Sequence, residues 1–230
     1  MRATVWNGVR ERVEALARQD RSSDVFGARD GHGVTGDRFR LAAPLTEREV
    51  SSAETLWGVS LPADYRDFLL EVGAGGAGPG YGLGALHRTD TGWEWADPSG
   101  DMRHASLGSV FPTAEARSRL LAEHEDREPV RSAFGTQEGF DTACRVWREA
   151  DDTLFRRFTS GALCLSHEGC GHCHWLVVTG PERGSMWVDG FPSDGGMRPL
   201  GAPGARIGFA DWYLAWVARA EAAVRRTLLE

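Results

Sequence analysis

Apolar residues recur at helical spacing between residues 3 and 19, where Trp6, Val9, Val13 and Leu16 fall on one face. This pattern predicts an amphipathic helix, followed by a connecting loop through the Ser-, Asp- and Gly-rich stretch from Ser22 to Gly36. Thr46 and Glu49 then stand at the two positions of a capping box, with Leu45 and Val50 placed for a hydrophobic staple. A helix is expected from there to Trp57, stopped by Gly58 as a left-handed cap. A second helix opens at Pro62, whose missing N–H is harmless at a first turn, and presents Tyr65, Phe68, Leu69 and Val72 on one side. Together the two make a helical hairpin.

Seven glycines crowd the stretch from Gly73 to Gly84. It lacks the Gly-Lys-Ser/Thr ending of a phosphate loop, so a flexible turn between helix and sheet is the expectation. Tyr81, Leu83 and Leu86 begin a strand region that runs through Trp93 and Trp95. Helices are expected at 113–125 and 140–158, then short strands at Ala162–Ser166, His172–Thr179 and Ser185–Asp189, with the last two forming a hairpin. The chain closes on a long helix striped by Phe209, Trp212, Tyr213, Trp216, Val217 and Ala220. The fold class is therefore α+β, with helices at both ends and a mostly antiparallel sheet between them. One domain over residues 1–230 is expected, with 1–40 as an N-terminal helix and loop extension, 41–218 as the core, and 219–230 as the end of the last helix.

Composition narrows the partners more than the fold. No apolar run approaches membrane-spanning length and no signal-peptide pattern opens the chain, so a cytoplasmic location is expected. The net charge is −7, and every one of the 26 basic side chains is an arginine. Such a surface disfavours direct contact with nucleic acid and favours encounter with a basic protein.

Three stretches together resemble the SUKH superfamily, the bacterial relatives of the yeast Smi–Knr cell-wall regulator. The first runs from Leu45-Thr46-Glu47 through Trp57-Gly58-Val59-Ser60-Leu61-Pro62 to Tyr65-Arg66-Asp67-Phe68-Leu69. The second joins Gly161-Ala162-Leu163, Gly169-Cys170-Gly171 and Trp175-Leu176-Val177-Val178. The third joins Trp187-Val188-Asp189 to the Phe209–Trp216 stripe. The resemblance implies helices packed on a curved antiparallel sheet. It also implies a frequent role as the immunity partner of a polymorphic toxin, often a nuclease or deaminase, without shared catalytic residues or a cofactor. Cys170 is expected there as a small buried residue.

Candidate chemistry is sparse. Cys164, His167, Cys170 and Cys173 are zinc-ligand types at knuckle-like spacing, so zinc is one alternative. Strand parity opposes it, because Cys173 and its neighbours His172 and His174 face opposite ways. Ser166-His167-Glu168 has the residue types of a triad, but adjacent strand residues diverge. Trp93-Glu94-Trp95-Ala96-Asp97 interleaves large aromatics with carboxylates and is the first candidate for partner contact, with Asp189 and Asp194 as a second acidic loop. Core packing is the competing role for the two tryptophans. The Glu-rich run 123–128 reads as a solvated helix end.

Overall fold

The computed structural model describes residues 4–19, 22, 25, 39–96, 106–190, 196–202 and 205–225. Helix α1 (Val9–Leu16) is shorter than the periodicity suggests, yet Trp6, Val9, Val13 and Leu16 are all buried. The Trp6 indole N–H donates to Asp64 O at 2.9 Å, and Arg10 donates to the carbonyls of Ala42 and Val72. This first helix is thus built into the main core.

Helices α2 (Glu47–Trp57) and α3 (Ala63–Glu71) form the expected hairpin. The capping box is present: the Thr46 N–H donates to Glu49 Oε2 at 2.8 Å, and the Glu49 N–H donates to Thr46 Oγ1 at 3.3 Å. Gly58 ends α2 at φ 63°. Thr46→Ala is expected to cost about 1 kcal/mol, and Glu49→Ala to add less than its own cost in the double variant, because both serve one terminus. The N–H of Thr46, and then its hydroxyl, hold the Glu49 carboxyl below its ordinary value. Its stabilisation is therefore present above the ordinary carboxylate range and lost as pH falls through the lowered folded value. Urea titrations of the four-variant cycle at neutral and acidic pH check both effects. Full additivity at neutral pH contradicts them.

Strands β1 (Leu86–Thr89) and β2 (Gly92–Trp95) pair antiparallel, with Leu86 opposite Trp95. Helices α4 (Ala114–Glu125) and α5 (Gln137–Phe158) follow, each capped by a threonine side chain, Thr113 and Thr136. Four strands, β3 (Ala162–Gly169), β4 (His172–Val177), β5 (Met186–Asp189) and β6 (Met197–Pro199), make an antiparallel meander in sequence order. Helix α6 (Phe209–Arg225) closes the chain, with its whole apolar stripe buried.

Alternation along the meander fills both faces of the sheet. Leu163, Leu165, Leu176 and Met186 join the main core with α1, α2, α3 and α6. Cys164, Cys173, Trp175, Val177 and Trp187 face a second core containing Phe111 and Phe158. Short β6 was not expected from the sequence.

The glycine-rich stretch corrects a reading. It is buried and paired, not a flexible turn. Gly76 bridges Leu41 on one side and Leu83 on the other, and Leu83 bridges Ser166 of β3. Gly76 has φ 108°, and a Cβ there would lie 2.5 Å from Arg40 O, so only glycine lets the backbones approach this closely.

Candidate functional site

The two tryptophans of the sequence-expected partner patch are not on the surface of the folded chain. Trp93 and Trp95 are only 5% and 4% exposed. The Trp95 N–H donates to the Tyr65 hydroxyl at 2.8 Å and its ring packs 4.3 Å from that of Trp57. The Trp93 N–H donates to Ser52 Oγ at 3.2 Å. Both indoles attach the β1–β2 hairpin to α2 and α3, leaving Glu94 as the exposed member. Asp189 is 2% exposed, because its strand lies between β4 and β6. Asp97 and Asp194 lie outside the described residues.

The four zinc-type residues are also dispersed. Cys164 and Cys173 are buried in the second core. Cys170 is exposed at the β3–β4 turn, contrary to the expected buried position, because the turn requires its φ of 51°. His167 stacks on Tyr81, and its Nδ1 accepts from the Gly169 N–H. Among the described residues no three His, Cys, Asp or Glu side chains converge as a metal site. The Ser166-His167-Glu168 run diverges likewise: the Ser166 hydroxyl donates to Pro79 O at 2.6 Å, while Glu168 faces His174.

That last contact opens on a groove of about 650 Å³ between α6, the end of β3–β4 and the glycine-rich stretch. Leu200, Ile207, Trp212 and Ala215 give it an apolar wall, while Glu168, Asp211 and Arg219 supply charge. Gly80 forms part of the floor, where a Cβ would lie 2.5 Å from His167 O. His174 lines the groove from β4, 5% exposed, with its ring 5.2 Å from that of Trp212. Its Nε2 stands 3.6 Å from Glu168 Oε1, too far for a hydrogen bond, and its buried Nδ1 has no partner among the described residues. Burial lowers the His174 pKa, with the coulombic effect of Glu168 opposing more weakly, so the neutral ring is favoured.

Sequence reasoning missed this groove because its lining comes from separate segments, from Gly80 through Glu168 and His174 to the α6 residues. The available signal was His174, on the core-facing parity it shares with Leu176 in β4.

A second exposed feature is the α4–α5 arm. No described side chain between Gln137 and Arg157 is fully buried, although α5 is 22 residues long. The arm is held by Trp147, which stacks 4.7 Å from His124 and donates to its carbonyl, and by a 2.6 Å contact between His124 Nε2 and Asp151. Glu123, Glu125, Asp126 and Glu128 are exposed around the end of α4.

The family model of the SMI1 / KNR4 family (SUKH-1) matches residues 44–200, more than half of the chain. The chain belongs to this family. The matched part of this SUKH-1 protein runs from the capping box to the residue after β6, and so contains both strand systems and the arm. Comparison with curated proteins and with solved structures gives no significant match. The family is generally non-enzymatic. No helix among the described residues of this SUKH-1 protein is long and apolar enough to cross a membrane.

Proposed function

We propose that this protein is an immunity protein, which binds a basic bacterial toxin domain of the nuclease or deaminase class and covers its active site. The observation that carries the reading is membership of the SUKH-1 family, a resemblance that implies a frequent role as a toxin's immunity partner. The net charge of −7 supports it, since an acidic protein accelerates encounter with a basic one and repels the nucleic acid that such a toxin handles. The acidic, partly apolar groove beside α6 supports it as well, being suited to contact with a basic protein segment.

The test is co-expression with any toxin domain found encoded beside its gene. Restored growth and a stoichiometric complex on size-exclusion chromatography are the expected results. Undiminished toxicity with the folded protein present overturns the reading. Binding to a host protein without rescue points instead to a regulatory module.

A further inference from the structure

We infer that the groove beside α6 is the docking site for a partner segment that inserts an arginine or lysine side chain, with its charged head at Glu168 and His174. The inference rests on the binding role proposed above and assigns that role a surface and a chemistry.

The two carboxylates of the groove are not paired with its one arginine, Arg219. Neither Glu168 nor Asp211 forms an ion pair with an arginine among the described residues, and the group facing Glu168 is the His174 imidazole. Glu168 Oε1 and His174 Nε2 stand 3.6 Å apart without bonding each other. Both can accept, so a head with several N–H donors can serve them together. The wall beside them is apolar, formed by Leu200, Ile207, Trp212 and Ala215. Long basic side chains carry an apolar stem beneath a charged head, and that is the shape this wall and its carboxylates complement.

Arg219 sets the orientation. It follows Asp211 by eight residues on α6, so about 12 Å of helix separates the acidic end of the groove from a cation. A bound segment is therefore held with its basic side chain at the Glu168–Asp211 end and turned away from Arg219. A further groove, about 900 Å³ at the base of the α4–α5 arm, is lined by Arg119, Arg156 and Arg157 with one carboxylate, Glu123, and suits such a group less well.

The experiment uses the full chain and three hexapeptides of sequence Leu-X-Leu-Ala-X-Leu, capped at both ends, in which X is arginine, citrulline or glutamate. Binding is followed by NMR at the His174 ring and at the Trp212 and Trp216 indole N–H groups. The arginine peptide is expected to give saturable shifts at these three residues, and the citrulline peptide to bind roughly tenfold more weakly. Glu168→Gln with Asp211→Asn is expected to remove that difference without changing Tm, since both side chains are exposed. Arg219→Ala is expected to retain it. Equal binding of the arginine and citrulline peptides, or shifts located elsewhere, overturns the inference. The immunity reading fails separately. A Glu168→Gln/Asp211→Asn chain that still neutralises its toxin keeps that reading and removes the groove. A chain that binds the arginine peptide yet protects against no toxin does the reverse.

Discussion

Replacing Trp95 by Ala is expected to destabilise the folded chain by about 3–5 kcal/mol, as for other large aromatic residues removed from a core. The cause is specific. The indole fills the space between the β1–β2 hairpin and the α2–α3 pair, packs on Trp57, and donates to the buried hydroxyl of Tyr65. Truncation leaves a cavity and takes the donor from an oxygen that cannot reach water. Trp95→Phe separates the two parts: most of the packing survives, and the lost hydrogen bond accounts for about 1–3 kcal/mol. Chemical denaturation of both variants measures this. If Trp95→Ala melts within about 2 °C of the parent, the indole is a surface group after all and returns as a partner anchor.

Gly76→Ala is expected to be comparably severe, at about 3–5 kcal/mol, combining an unfavourable positive φ with displacement of a neighbouring backbone. The carbonyl of Arg40 lies 2.5 Å from where the methyl would go, and a main-chain oxygen cannot rotate away as a side chain can. Gly76 also exchanges hydrogen bonds with Leu83, its N–H donating at 3.0 Å and its carbonyl accepting at 2.6 Å. A shift there disturbs the connection from Leu41 through Leu83 to Ser166. A Gly8→Ala control also has positive φ, but no atom lies within 4 Å of its new methyl, so it reports backbone strain alone. A Gly76→Ala chain no less stable than Gly8→Ala means that the close approach carries no energetic weight.

What the sequence disclosed was local. The capping box at Thr46, the stop at Gly58 and the stripe from Phe209 to Ala220 each rest on residues within one element, and each is present in the fold. Trp93 and Trp95 were misleading as recognition residues because alternation with Glu94 fits a half-buried strand as well as an exposed patch. Only the packing of that strand on α2 distinguishes the two. The glycine-rich stretch resembles a mobile loop in composition, yet its glycines answer to backbones distant in sequence, namely Arg40 and His167. Strand β6 is three residues long and too short for periodicity to reveal. The groove was illegible for the same reason as the glycines. His174 becomes notable only when Glu168 and Trp212 stand beside it without satisfying its ring.

The pairing of Leu83 with Ser166 has a consequence for how partners can be read. One margin of the meander is occupied by the chain's own glycine-rich stretch, which takes the Leu165 and His167 carbonyls through the N–H groups of Gly84 and Tyr81. The other margin is the three-residue β6, with Arg198 and Pro199, residue types that discourage a further strand. Recognition by strand addition, which fixes a partner through main-chain hydrogen bonds, therefore has little purchase here. Contact falls to side chains on helices and turns, which can be exchanged one at a time while the sheet beneath stays as it is. A scaffold closed in this way can change its specificity without reopening its fold.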